Sequence, residues 1–254
     1  MTEALFFRLI LIVSFIVAAG TFATLFFITA PYGRHIRQGW GPRLPNWLGW
    51  LLMESVSAIG MGMMFLIGDA PRTAITVIFL LMWEAHYIHR AFIYPFLLRD
   101  GRKKMPLVVA LLAAVFNLGN AYLNGRYLFH FSHNRYGPSW LLEPRFLAGA
   151  LLFVIGFAIN RWADNTLREL RRPGETGYRI PQGGLYRYIS CPNYFGEIVE
   201  WIGWALATWS LPGLAFAVWT IANLVPRAWS HHQWYHEQFR NYPLERKALI
   251  PGVW

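Results

Sequence analysis

The stretch Asn193 to Leu211, NYFGEIVEWIGWALATWSL, decides the fold. It is long and apolar enough to cross a bilayer, since about 20 mainly apolar residues span ~30 Å of hydrocarbon. Yet it carries two glutamates near its start. An ionisable group in the hydrocarbon layer costs at least ~2.5 kcal/mol on insertion scales, so a helix that retains several turns them toward a cavity or toward each other. Asn193, Glu197, Glu200, Trp201 and Trp204 fall on one face of a helix. Both glutamates therefore face inward, and the chain reads as a bundle of membrane helices around a polar interior.

Working outward, six more stretches of comparable character complete the set: roughly 5–30, 46–68, 73–98, 105–124, 145–163 and 212–230, beside 193–211 itself. At 56% hydrophobic and 17% aromatic residues, the chain has too little polar surface for a soluble single domain. The expected fold class is all-α: a polytopic membrane protein with seven transmembrane helices in a single membrane-embedded domain, 1–254. Leu9 to Ala30 is too long for the apolar core of a signal peptide and reads as a retained span. The single cysteine, Cys191, excludes an intrachain disulfide and a paired-cysteine metal site. His231 and His232 are adjacent, and His86 and His89 lie three apart; neither spacing makes a familiar ligand pattern, so no metal is expected.

A net charge of +10 in a soluble domain would suggest nucleic acid. In a membrane protein the distribution matters more than the sum. Arg34, Arg37 and Arg43 follow the first stretch; Arg99, Arg102, Lys103 and Lys104 follow the third. Arg161, Arg168, Arg171, Arg172, Arg179 and Arg187 follow the fifth; Arg240, Arg246 and Lys247 follow the last. By the positive-inside rule these loops and the C-terminus are cytoplasmic, and the N-terminus lies on the opposite side. There is no internal repeat, low-complexity tract or linker that would divide the chain.

The interior is polar on several helices. Asn223, Arg227, His231 and Tyr235 recur every four residues, as do Asn160, Asp164 and Arg168, with Arg171 three further on. The third stretch offers Tyr87, Arg90 and Tyr94, with Glu84, His86 and His89 close by. The second offers Glu54, followed by Ser57. Asn117, Asn120 and Asn124 share one face of the fourth and read equally well as interhelical hydrogen bonds. Between Asp164 and Pro192 runs the longest polar interval, in which RRPGETGYRIPQGG excludes a continuous helix. Its arginines favour binding of an anion. No GxGxxG or GxxxxGK[ST] occurs, so phosphate would be gripped by arginine forks, for which Arg102, Arg171 and Arg179 are placed. Asp164 suits a ribose or adenine. Asn193, Glu197, His231 and Tyr235 offer donors and acceptors for a group the size of a carboxamide.

The motifs GETGYRIPQGGLY, NYFGEIVEW, ALATWSLP and YPLERKALIP, with HYIHRAFIYPF in the third stretch, resemble the steroid 5α-reductases from Asn160 to Pro251 and again around Glu54. The resemblance implies a membrane oxidoreductase that uses NADPH to reduce the carbon 4 to carbon 5 double bond of a 3-keto-Δ4-steroid. Tyr87 and Glu54 then correspond to the catalytic pair at the 3-keto group. Asn160, Asp164, Arg171, Tyr178, Arg179, Asn193, Glu197, Arg227, His231 and Tyr235, with Arg102 and Tyr94, correspond to the cofactor shell. Trp201, Met53 and Phe116 correspond to the steroid wall. On this reading residues 1–124 form mainly the substrate side and 145–254 mainly the NADPH side. Glu197 serves the carboxamide end and Glu200 supports helix packing. The implied partners are the bilayer and a steroid-like lipid, with no nucleic acid and a monomeric state, in a bacterial inner membrane or an endoplasmic reticulum membrane. A hydride added to the β-carbon of an enone pushes charge onto the carbonyl oxygen, and a tyrosine held by a carboxylate is suited to meet it. Two alternatives stay open. One is a membrane methyltransferase of the isoprenylcysteine type using S-adenosylmethionine; the other is a reductase of enoyl lipids or polyprenols.

Overall fold

A computed structural model describes residues 1–31, 33–99, 103–170 and 177–254. The chain is a bundle of long helices. In order these are α1 (Glu3–Phe27), α2 (Asn46–Ile67), α3 (Ala74–Ile88) continued by α4 (Tyr94–Leu97), α5 (Leu107–Arg126), α6 (Pro144–Glu169), α7 (Pro192–Thr208) and α8 (Leu211–Gln238). A π-helical turn, His89–Ile93, joins α3 to α4, and another, Tyr127–Phe131, ends the α5 rod. Among the described residues, four rods are long and apolar enough to cross a membrane: Glu3–Phe27, Asn46–Ile67, Leu107–Phe131 and Pro144–Glu169. Their outer faces are bare hydrocarbon. Ile12 and Ile16 on α1, Ile59 and Leu66 on α2, Leu112 and Val115 on α5, and Leu151 and Val154 on α6 are all exposed. Such a surface is unstable in water and suited to lipid.

Each rod runs from one end of the bundle to the other. At the first end, Glu3 of α1 forms a two-pronged ion pair with Arg126 of α5, at 2.7 and 2.8 Å. There too Ala70 N donates to Phe129 O, Thr73 Oγ1 to Tyr136 O, and Tyr136 Oη to Thr208 O. At the second end, Thr29 and Ala30 after α1, Asn46 of α2, Leu97 of α4, Lys104 before α5, Asp164 of α6, Asn193 of α7 and His231 of α8 line one cavity. The N-terminus therefore lies at the end opposite the cavity. The C-terminal segment lies at the cavity end, where Lys247 N donates to Tyr188 O and Ser190 N to Lys247 O, both at 2.8 Å.

The structure corrects several boundaries. The fold is not purely helical: β1 (Arg43–Pro45) pairs antiparallel with β2 (Lys104–Pro106), Leu44 opposite Met105. This clasp joins the loops before α2 and α5, which a helical periodicity does not register. Helix α6, the fifth expected stretch, runs six residues past its expected end at 163 and carries Asp164 and Arg168 beyond the apolar run. The last helix likewise continues to Gln238. Both extensions are polar, so hydropathy ends before the backbone hydrogen bonding does.

The core is aromatic. Trp83, Trp201, Trp204, Phe79 and Phe216 are buried in one cluster, with Trp201 and Phe216 centroids 4.1 Å apart. Trp83 donates from Nε1 to Ser57 O at 3.2 Å, and Trp204 to Asn124 Oδ1 at 2.9 Å. The indoles thus fill volume while their N–H groups find acceptors, which hydrocarbon does not supply.

Candidate active site

The closest contact in the bundle is the seam between α6 and α7, and glycines make it. A β-carbon at Gly149 or Gly156 would overlap backbone of Ala207 or Glu200; one at Gly196 or Gly203 would overlap backbone of Asn160 or Phe153. Small residues let membrane helices approach backbone to backbone, where dispersion and polar contacts replace the hydrophobic drive. At the cavity end this seam brings polar side chains within bonding range. Asn160 Nδ2 donates to Asn193 O at 3.0 Å and to Glu197 Oε2 at 3.3 Å, and Asn193 Nδ2 donates to Asp164 Oδ1 at 3.1 Å. Arg90, from the π turn of the third rod, closes the group. Its guanidinium lies 3.0 Å from Asp164 Oδ2 and 3.7 Å from Glu197 Oε2, and covers the rings of Trp50 at 4.5 Å and Tyr94 at 4.6 Å.

Arg90 also borders the cavity, a space of about 240 Å³. Its lining includes Tyr94, Asp164, Tyr178, Arg179, Asn193, Arg227, His231 and Tyr235, and basic groups from two connections, namely Arg34 after α1 and Arg99, Lys103 and Lys104 between α4 and α5. Arg34 lies over the rings of Trp234 and Tyr235, both 4.7 Å from its centre. Its Nη1 is buried and has no hydrogen-bond partner among the described residues. A guanidinium donor held there without an acceptor suits an anionic ligand. Sequence reasoning counted Arg34 among the basic loop residues and gave it no site role; the tertiary contact with α8 is what brings it to the cavity.

The 177–190 segment is fastened over this end. Lys103 Nζ donates to Tyr178 Oη at 2.8 Å, and Arg246 donates to Pro181 O and Gln182 Oε1, both at 3.0 Å. Gly183 and Gly184 adopt φ of 82° and 47°, the left-handed region where a side chain is strained. A β-carbon at Gly184 would strike the Trp162 ring. The turn thereby seats Tyr186, whose hydroxyl donates to Ala163 O at 3.2 Å.

Deeper in the bundle lies a second polar group. Tyr87 is buried, with its ring 5.8 Å from Trp201 and 5.0 Å from His86. Ser57 and Asn120 lie close to its hydroxyl, and Glu54 is nearby. Among the described residues, Ser57 Oγ and Asn120 Nδ2 are buried and make no hydrogen bond of their own. Glu54 accepts from Asn117 Nδ2 at 3.3 Å, the same amide that donates to Met53 O at 2.6 Å. Glu200 is fully buried and its Oε1 lies 2.8 Å from His86 Nδ1, which joins α7 to α3.

The expected residues thus fall into two groups. Tyr94, Asp164, Tyr178, Arg179, Asn193, Arg227, His231 and Tyr235 share the cavity, and Asn160 and Glu197 adjoin it through the hydrogen bonds above. Tyr87 and Trp201 meet in the aromatic core. Phe116 joins that wall indirectly, stacked 4.3 Å from Trp219 and 6.2 Å from Phe216. Met53 sits apart, in a separate cluster with Met105 and Ala110. Arg102 and Arg171 lie outside the described residues. Arg34, His35, Arg90 and Tyr194 belong to the site and were not in the expected set.

Residues 103–254 match the family described as 3-oxo-5-alpha-steroid 4-dehydrogenase. Over 229 residues the chain is 46% identical to a 3-oxo-5-alpha-steroid 4-dehydrogenase 1 of Bos taurus, covering 88% of each chain. It is 45% identical to the Homo sapiens protein of the same name, over 87% of this chain and 85% of that one. It is 41% identical to Steroid 5-alpha-reductase DET2 of Gossypium hirsutum, over 98% of this chain and 97% of the relative.

Proposed function

The chain belongs to the 3-oxo-5-alpha-steroid 4-dehydrogenase family, and from that membership we propose that it reduces the carbon 4 to carbon 5 double bond of 3-keto-Δ4-steroids with NADPH as reductant. Membership makes it an oxidoreductase. The observation that carries the cofactor assignment is the basic cavity, with the buried Arg34 Nη1 unpartnered among the described residues. A cradle of arginine and lysine beside Asp164, Asn193 and Glu197 fits a dinucleotide phosphate at its mouth and amide or hydroxyl groups further in. Arg34, Arg179 and Tyr178 would hold the phosphate end; Asn160, Asn193 and Glu197 the far end.

When bound, NADPH supplies the hydride that carbon 5 receives. The protein's part is at the other end of the enone. Tyr87 Oη donates a hydrogen bond to the 3-keto oxygen and stabilises the charge that develops there. Glu54 polarises that hydroxyl. Ser57 and Asn120, close to the Tyr87 hydroxyl, would help to hold it in place as it donates. Trp201, Phe116 and Phe216 provide a dry wall that excludes water. Seven passes are supported by rods that alternate between the two ends, with the basic loops gathered at the cavity end. By the positive-inside rule that end is cytoplasmic, where NADPH is available, and a membrane-soluble steroid enters from the side.

The test is turnover by the purified chain with testosterone, progesterone and an enoyl lipid, each with NADPH and with NADH. Loss of nicotinamide absorbance with the steroids and NADPH is the expected result. Turnover of the enoyl lipid alone would move the substrate class; equal use of NADH would remove the phosphate role of the basic cradle.

A further inference from the structure

Four side chains from three elements form a single hydrogen-bonded series along the cavity wall. Arg227 Nη2 lies 3.0 Å from Tyr194 Oη, Tyr194 Oη lies 2.9 Å from His231 Nε2, and His231 Nδ1 lies 2.8 Å from His35 Nε2. The two imidazoles are nearly coplanar and meet edge to edge, centroids 4.9 Å apart and planes 10° apart. The direction of the series follows from its first member. Arginine has no acceptor, so Arg227 donates to Tyr194 Oη. The tyrosine has one proton to give, and His231 Nε2 is the acceptor in reach. His231 then carries its proton on Nδ1 and donates to His35 Nε2. The opposite order, with His231 Nε2 donating to Tyr194, leaves the buried tyrosine proton without an acceptor in the series.

We propose that His35 is a positioning residue of the site: by accepting from His231 Nδ1 it fixes that imidazole as the neutral Nδ1-protonated tautomer, and through Tyr194 it aims the Arg227 guanidinium at the cavity. This role rests on the cofactor reading above for its effect on binding, but not for the tautomer. It also changes what His231 does. Both of its ring nitrogens are engaged by protein, so it presents a ring edge and no charge to a ligand, and the cavity's cationic character comes from the arginines and lysines. His35 is fit to accept, because burial, with the Arg34 and Arg37 cations beside it, pushes its pKa down to about 4. The loop after α1, a helix that packs against α8, thereby supplies the terminal acceptor.

The experiment compares the unaltered full-length chain in detergent micelles with His35→Phe, His35→Gln and Tyr194→Phe. Phenylalanine keeps a flat ring at this position and removes the acceptor; glutamine restores an acceptor oxygen. Nitrogen-15 spectra of histidine-labelled protein without cofactor read the His231 tautomer, with a His231→Gln spectrum to assign the signal. The unaltered chain should show Nδ1 protonated, and His35→Phe and Tyr194→Phe should each show a mixture. NADPH affinity, read by tryptophan quenching, should fall about tenfold in His35→Phe, as for one lost hydrogen bond in a charged network, and recover in His35→Gln. An unchanged tautomer in His35→Phe overturns the proposal. So does an affinity loss that glutamine does not repair, since it marks His35 as a packing residue only. If the unaltered chain binds no NADPH, the cofactor reading and the effect on binding fall together, and the nitrogen spectrum shows separately whether the hydrogen-bonded series stands.

Discussion

Neither Tyr87 nor Glu54 lines the basic cavity, so on the proposed roles chemistry and cofactor binding are separable by substitution. Tyr87→Phe removes the donor at nearly constant volume; it is expected to keep NADPH affinity and lose turnover of a 3-keto-Δ4-steroid by ~10²–10⁴-fold, the usual worth of a positioned acid. Glu54→Gln should behave similarly, whereas Arg34→Ala should weaken NADPH binding first. Steady-state kinetics beside a direct binding measurement distinguish them. His35 yields a pH prediction. Its folded-state pKa of about 4 lies below the ordinary 6.5, so the unfolded chain binds the proton more readily between those values. The stability associated with the neutral imidazole is complete above pH ~6.5 and is lost as pH falls toward 4. In thermal melts His35→Gln should flatten this part of the pH profile; an unchanged profile would assign the acid sensitivity to other groups. These residues differ in legibility. Glu54 and Tyr87 stand out because a carboxylate and a phenol interrupt apolar runs. His35 lies in a loop with no periodicity, and its meaning appears only when α8 is beside it.

At the scale of the helices, the α6 to α7 seam governs the site. Gly156 meets the backbone of Gly196 and Glu200, and neither can retreat without parting Asn160 from Asn193 and Glu197. Gly156→Val is therefore expected to destabilise by more than ~3 kcal/mol, the upper end of ordinary overpacking, because the atoms struck are backbone. It should abolish NADPH binding in whatever fraction folds. Gly20→Ala on α1 meets nothing within 4 Å and is the matched control; equal behaviour of the two in a detergent melt would refute the seam's role. The glycines were visible in the sequence, but which helices they join was not, since small-residue spacing marks a contact face without naming its partner. The π turn His89–Ile93 was equally hidden. Tyr87, Arg90 and Tyr94 fit a regular helical period, and a wider turn carries no signal of its own. It is the turn from which Arg90 reaches both Asp164 and Glu197.

For the molecule as a whole, the two ends of the bundle differ in chemistry. The cavity end carries Arg34, Arg99, Lys103, Lys104 and Arg179, and the other end is stitched by paired groups such as Glu3 with Arg126 and Asp69 with His130. Reporter fusions at the N- and C-termini should therefore report opposite sides, with the C-terminus in the cytoplasm. Both ends on one side would mean an even number of passes. The C-terminal strap makes a related prediction. Arg246 holds Pro181 and Gln182, so Arg246→Ala should loosen the 177–190 segment and weaken NADPH binding, detectable as faster proteolysis of that segment and a raised Kd.

What the sequence determined by itself is the class of solvent and the class of chemistry. Long apolar runs require a bilayer, and ionisable groups retained inside them require an inward face, because the cost of charge in hydrocarbon leaves no other arrangement. The same reasoning picked out Asp164, Asn193, Glu197, Arg227 and His231, whose helical spacing is a one-dimensional property. Tertiary structure decided the rest. It set which faces meet, through glycine contacts that depend on two helices at once. It drew Arg34 and His35 from a loop into the cavity, and it set Met53 beside Met105 instead of the aromatic wall. It also fixed which nitrogen of His231 bears the proton, because a tautomer is chosen by the partners on both sides of the ring, and these come from α7 and from the loop after α1.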